Sequence, residues 1–220
     1  MKEKQLKDGA LYEERFRFKE CRSNALFILT IALILLIAFV FRAYWQTAIG
    51  GVQVSGTSME RTLQHGDKLL VKKTGWWHKA DYGDVIVVRV DGYEEWQGRK
   101  DDKGKQISFI IKRLIAKAGD SVYCENGTVY LKKSGEVDYA PIAEPYAYYS
   151  QSKNNYDFDE YVLETGEIFF LGDNRFVSED SRYQEGRSQL QYLYKEKDIM
   201  GTVPEWAIEN RTILEGIFFQ

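Results

Sequence analysis

Two cysteines, two histidines and three prolines are all that the 220 residues hold of those types, and each shortage excludes something. Cys21 and Cys124 cannot build a disulfide framework. They also flank a long apolar run, so they cannot meet if that run crosses a membrane. With only His65 and His78, and no Cys-x-x-Cys, no metal-ligand spacing is legible, and no metal or cofactor is expected. A Ser–His–Asp triad needs a histidine base. His65 sits in a turn and His78 follows two tryptophans, while the G-x-S-x-G elbow is missing altogether. The net charge is only −3 and no basic stripe carries interleaved aromatics, so nucleic acid is not an expected partner. Against these gaps stand 44% hydrophobic residues and 18 glycines, the balance of a folded chain. The 15 tyrosines and 12 phenylalanines favour β structure. The length leaves room for one sizeable domain, with a small insert, beyond any anchor.

The apolar run reads ALFILTIALILLIAFVF, Ala25 to Phe41, seventeen residues without a charge. That is the short end of what crosses a bilayer core. It is apolar on every side, unlike an amphipathic surface helix, and Tyr44 and Trp45 stand where interfacial aromatics belong. Seven basic residues precede it (Lys2, Lys4, Lys7, Arg15, Arg17, Lys19 and Arg22), against Arg42 directly after it. The positive-inside rule then puts the N-terminus in the cytoplasm and the bulk of the chain outside. A cleaved signal peptide is the competing reading. Its apolar region spans about 7–15 residues and ends in a small-residue cleavage site, whereas Arg-Ala-Tyr-Trp follows here. The expected organisation is a solvated cytoplasmic tail (1–23), an uncleaved anchor in the lipid bilayer (24–45) and an extracytoplasmic domain (46–220).

Beyond the span, short β-branched runs recur: GVQV (51–54), KLLVKK (68–73), DVIVVRV (84–90), ISFIIKRLIAK (107–117), SVYC (121–124), TVYLK (128–132) and EIFFLG (167–172). Turn signals separate them, including Gly-Asp pairs at 66, 83, 119 and 172. ENGT (125–128) reads as a tight hairpin turn. A mainly antiparallel β domain follows, with no helix expected before the segment near 188–196. Residues 91–106 read as an exposed loop between strands. The tyrosine-rich stretch 138–160 reads as a long loop or the edge of an inserted subdomain covering about 121–168. Trp76-Trp77 is either a membrane-touching patch or a core pair.

Chemistry centres on VSGTSMERTL, where Ser58 lies among small residues. SQSK (150–153) and KTG (73–75) resemble a penicillin-binding pattern, but their order is reversed and no SDN exists. Lysine can replace histidine as a base if it is neutral. An ordinary lysine, with a pKa near 10.4, is less than ~0.1% neutral at pH 7, and burial among apolar groups lowers that value by up to ~5 pH units. Lys112 interrupts FIIKRLI (109–115), the most apolar run after the span. On a strand it shares a face with Ile110 and Leu114, while Arg113 lies on the other with Phe109, Ile111 and Ile115. Both faces are apolar, so a lysine snorkelling at a strand edge stays open as the alternative to a buried base.

The ordered set SGTSMERTLQHGDKLLV, YGDVIVV, IKRLIAKAGD and FFLGDNRFVSEDSR, behind a single span, resembles the boxes of type I signal peptidases. These are membrane-anchored Ser–Lys endopeptidases that remove signal peptides, and the resemblance runs from the anchor to about Val203. It implies an antiparallel β catalytic domain of signal-peptidase type with one N-terminal transmembrane helix. By position, Ser58 would be the nucleophile, Lys112 its general base and Ser178 the hydroxyl that helps orient the lysine. Asp180 and Arg182 would form a supporting salt bridge, and Asp173 and Arg175 would hold the turn presenting this box. The bland alternative for these is a polar turn with surface ion pairs. The Ser58 N–H would serve the oxyanion hole. Gly56 occupies the position where some members place a second, hydroxyl donor, as in Gram-positive-like members. Arg61 replaces the family's usual proline, which should loosen a preset φ. Substrate would add as a strand beside Gln53, Val54 and Ser55, with the strand near Ile110 on its other side. Signal-peptide-bearing preproteins are the implied partners, delivered by the secretion translocon. A non-catalytic membrane-anchored β domain that binds export partners, and a self-cleaving repressor domain, are the rival readings.

Overall fold

The computed structural model describes residues 2–75, 78–149, 156–182 and 194–218, with side chains from Asn24 onward. Trp76, Trp77, the SQSK segment and most of 188–196 lie outside the described residues. The chain forms two compact units, 1–47 and 48–220.

In the first unit, α1 (Lys2–Ala48) is continuous. Its stretch Asn24–Ala48 has a mean hydropathy of 2.8 and is long and apolar enough to cross a membrane. Thr30 turns its hydroxyl back onto the Leu26 carbonyl at 2.9 Å, so its polar group is satisfied within the helix.

The second unit is built on antiparallel sheet. Its strands are β1 (Ile49–Gln53), β2 (Lys68–Lys73), β3 (Val85–Arg89), β4 (Phe109–Lys117), β5 (Ser121–Glu125), β6 (Thr128–Lys132), β7 (Ala140–Pro141), β8 (Phe158–Val162), β9 (Glu167–Leu171), β10 (Tyr194–Lys195) and β11 (Ile199–Val203). Seven form one sheet in the order β1-β2-β11-β3-β4-β9-β10, and four form a second, β7-β6-β5-β8. The β5–β6 hairpin turns at Asn126 and Gly127, whose φ of 52° and 69° are both positive, as a type I′ turn requires.

β4 and β9 place the site: β9 is buried on both faces, and β4 along the face of Ile110, Lys112 and Leu114. Along β9, Ile168 and Phe170 pack with Ile86, Val88, Ile110 and Leu114, while Phe169 and Leu171 pack with Val122, Leu131 and Tyr161 under the second sheet. A strand sandwiched in this way reads as an unbroken apolar run. β4 pairs with β3 over Phe109–Arg113 but with β9 only from Arg113 onward. Among the described residues, the start of β4 therefore has a free edge, as does β1 at the margin of the sheet.

Two helices close the described chain, α2 (Glu205–Glu209) and α3 (Arg211–Phe218), in a stretch to which the sequence reading assigned no element. Ala207, Ile208 and Leu214 pack into the core around β2, while Trp206, Ile213 and Ile217 stay exposed. Pro204 just before the first turn and the apolar spacing 207/208/214 are the signal that a search for strands passes over.

Candidate active site

After β1 the chain leaves the sheet in a compact turn. Leu63 N–H bonds the Met59 carbonyl at 2.8 Å, and the buried side chains of Met59 and Leu63 clamp the turn to the core. Ser58, between them and the groove, is thereby displayed rather than buried. From the facing strand β4, Lys112 reaches it: Nζ donates to Ser58 Oγ at 2.8 Å and to the Ile111 carbonyl at 3.2 Å. Lys112 is 4% exposed, so the face it shares with Ile110 and Leu114 is the buried one, and it does not snorkel. Burial pulls its amine down to about 8, although the carboxylates of Asp180 and Glu179 work the other way; Arg182 adds to the lowering.

The loop 172–182 backs this pair. Gly172 lies so close that a Cβ there would stand 2.6 Å from the Ser58 carbonyl oxygen and 2.1 Å from Ser178 Oγ, hence a residue without a side chain. Asn174 N–H bonds the Ser58 carbonyl at 3.0 Å. Asp180 accepts from Gly172 N–H at 2.9 Å and from Arg182 Nε at 2.7 Å. Burial alone would push the Asp180 carboxyl up, but the Arg182 guanidinium and these hydrogen bonds hold it below its usual range, so it stays charged. Ser178 Oγ is buried, with no partner in hydrogen-bond geometry among the described residues, and its hydroxyl helps hold the Asp180 carboxyl down.

Asp173 and Arg175 do not pair with each other, and neither is a surface group. Asp173, fully buried, receives Arg113 Nε at 2.8 Å, Arg113 Nη2 at 2.6 Å and the Thr62 hydroxyl at 2.5 Å. It thus ties the strand that bears Lys112 to the turn that bears Ser58. Arg175 donates to the Gly172 carbonyl at 2.9 Å, to Glu144 at 2.5 Å and to the Tyr149 hydroxyl at 3.1 Å. The bland reading of weak surface pairs fails here, because breaking such a buried pair costs about 3–5 kcal/mol.

A groove of about 790 Å³ runs past the Ser58–Lys112 pair. One wall is Gln53 to Ser58, which brings Val54, Ser55 and Gly56 to the site; the other is Phe109 to Lys112, including Ile110. Val54 spends its N–H on the Asp67 carbonyl at 2.8 Å. Gly56 N–H donates to His65 Nδ1 at 3.2 Å. Among the described residues, no cluster of His, Cys, Asp and Glu could hold a metal ion. Cys124 is buried and free.

The family model for "Signal peptidase, peptidase S26" matches residues 24–214. The chain belongs to the signal peptidase family. Signal peptidase I of Bacillus amyloliquefaciens is 30% identical over 80% of this chain and 78% of its own. Signal peptidase I U of Bacillus subtilis is 30% identical over 84% of this chain and 87% of its own. A solved signal peptidase I from Enterococcus faecalis aligns at 21% identity and a TM-score of 0.38, over 58% of this chain and 98% of that one. The protein is accordingly an enzyme of the signal peptidase class, a hydrolase acting as a protease.

For a signal peptidase, one departure takes an unexpected form. At Arg61, where the family's usual proline would stand, φ is +80°, a conformation the proline ring forbids. The expected loosening of a proline φ is therefore replaced by a different backbone, with the Arg61 guanidinium 4.2 Å over the Tyr148 ring. Arg113, Glu144 and Thr62 escaped the sequence reading. Only Arg113 left a signal, as a charge that can never be neutral inside an apolar strand.

Proposed function

We propose that this signal peptidase removes signal peptides from exported preproteins through a Ser58/Lys112 dyad, at the outer face of the membrane its N-terminal helix spans. The observation that carries the reading is the 2.8 Å contact between a buried lysine amine and the Ser58 hydroxyl. A neutral Nζ at that distance can accept the hydroxyl proton as Oγ attacks the scissile carbonyl carbon. The carbonyl electron pair moves onto oxygen, where the Ser58 N–H stabilises it. Collapse expels the amine of the mature protein, which takes the proton back from Lys112. The amine, neutral again, then deprotonates the water that hydrolyses the acyl–serine ester.

Substrate fits as a strand. The groove lies between two strand edges unpaired among the described residues, Gln53 and Ser55 on one side and the start of β4 on the other, with Ile110 in its lining. Asp180 with Arg182, Asp173 with Arg113, and Arg175 with Glu144 support the dyad from behind. Ser178, buried behind Asp180, is assigned the orienting hydroxyl for Lys112 that the family resemblance implies. Residues 1–23 are assigned to the cytoplasm, 24–45 to the bilayer and 46–220 to the outside, with 121–168 as an inserted subdomain beside the catalytic sheet. The translocon delivers the substrates.

Incubating the full-length chain in lipid with a model preprotein tests this. Ser58→Ala and Lys112→Ala should each abolish processing on a gel. Unchanged processing by Ser58→Ala would favour a domain that binds export partners without cutting them.

A further inference from the structure

The loop between β3 and β4 returns across the groove. Its base is fixed in the core: Trp96 is buried and its indole N–H bonds the Tyr194 hydroxyl at 2.8 Å. Its tip is braced from within, since Asp101 accepts the backbone N–H groups of Lys103 and Lys105 at 3.0 and 2.8 Å. From that tip, side chains reach the opposite wall. Asp102 Oδ1 accepts the Ser55 hydroxyl at 2.7 Å, and Asp102 Oδ2 stands 3.2 Å from His65 Nε2. The Ser55 hydrogen bond is the largest reason the Asp102 carboxyl titrates below its usual range. His65 in turn accepts the Gly56 N–H on Nδ1 at 3.2 Å. A ring that accepts on Nδ1 keeps its proton on Nε2, facing the carboxylate. Lys103 Nζ donates to the Gln53 side-chain oxygen at 3.3 Å, and Arg99 pairs with Glu179 on the loop behind Lys112.

These contacts converge on one short piece of backbone. Residues 53–56 form the edge offered to an incoming strand, and they lead straight into Ser58. We infer that Asp102 is a positioning residue for the bound peptide: it holds Ser55 directly and Gly56 through His65, so that the receiving edge is fixed beneath the β3–β4 loop before substrate arrives. Held beforehand, that edge loses less freedom on binding, and binding is correspondingly tighter. The inference rests on the protease reading of the groove and names the part of the chain that orders its substrate.

The test uses the full-length chain in detergent with Ser58→Ala, so that nothing is cut. A fluorescein-labelled extended peptide, with alanine at the first and third positions before the intended cut and several residues upstream, is titrated by anisotropy. Adding Asp102→Ala should weaken its Kd about tenfold. Asp102→Asn, which keeps an acceptor for the Ser55 hydroxyl, should fall between. Asp81→Ala, which removes an exposed partner of Lys117 away from the groove, should change nothing. A peptide beginning one residue before the cut does not reach Ser55 and should bind equally with or without Asp102. A merely structural role would weaken both peptides alike. Equal Kd values for the long peptide, or equal weakening of long and short, would overturn the inference, and so would a failure of the parent to bind. If the chain with Ser58 intact fails to cleave a long peptide that still shows the Asp102 effect, the protease reading falls and the positioning role stands.

Discussion

At the scale of single residues, the proposed dyad depends on how far Lys112 is kept from its ordinary charge. Its amine is pulled to about 8 by burial, so the neutral fraction, and with it the rate, should rise with pH through a limb near 8 and level off above it. A kcat/KM profile between pH 6 and 10 checks this, and a limb near 10 would mean a solvated amine. The same shift carries a sign for stability. Between about 8 and the unperturbed 10.5, the unfolded chain still binds a proton that the folded chain has released, so the Lys112 contribution to stability should increase with pH across that window. Asp180 opposes the lowering and Arg182 reinforces it. Arg182→Gln should therefore move the activity limb to higher pH, and a profile that merely lost height without moving would assign Arg182 to folding alone. Ser58 and Lys112 were legible in the sequence because a lysine inside FIIKRLI is anomalous and the boxes come in order. The partners of Asp173 and Arg175 were not. Glu144 lies 31 residues from Arg175 in a polar stretch whose return to the site leaves no periodic trace.

At the scale of elements, the turn that displays Ser58 is set by its backbone as much as by its side chains. The positive φ of Arg61 makes a clear forecast. Arg61→Pro, though it restores the family's usual residue, should destabilise the protein by more than ~1 kcal/mol, because the ring cannot follow the backbone. Arg61→Gly keeps the conformation and should lose only the contact with Tyr148, about 0.5–1 kcal/mol. Urea melts of the two variants side by side measure the difference. Strands were readable wherever both faces or alternate residues are apolar, as in β3, β4, β5, β6 and β9. Four strands were not read: β7 and β10 because two residues have no period, β8 because Asp159 and Glu160 interrupt it inside a polar stretch, and β11 because Gly201 and Thr202 break its apolar run. The helices α2 and α3 were missed because both are short and the break at Asn210 interrupts the apolar spacing of Ala207, Ile208 and Leu214. The loop over the groove was placed correctly between its strands, but a charged surface stretch does not announce what its tip will touch.

At the scale of the molecule, the span and the β unit were both readable, the first from length and hydropathy, the second from the rhythm of strands and turns. The topology assigned to the chain makes its own forecast. In intact cells stripped of their wall, protease added from outside should degrade the β unit and leave a membrane-embedded fragment containing residues 24–45; protection of the β unit would reverse the orientation. Ala48, the last residue of α1, is 1% exposed within the β unit, and β1 begins at the next residue. No slack separates the anchor from the strand that leads to Ser58. The ten peptide units from Ala48 to Ser58, even fully stretched, reach no farther than about 35 Å. If the helix lies in a bilayer, as proposed, Ser58 cannot stray farther than that from the helix end. On the proposed topology and mechanism, such a leash would select targets by their height above the lipid before any side chain is read.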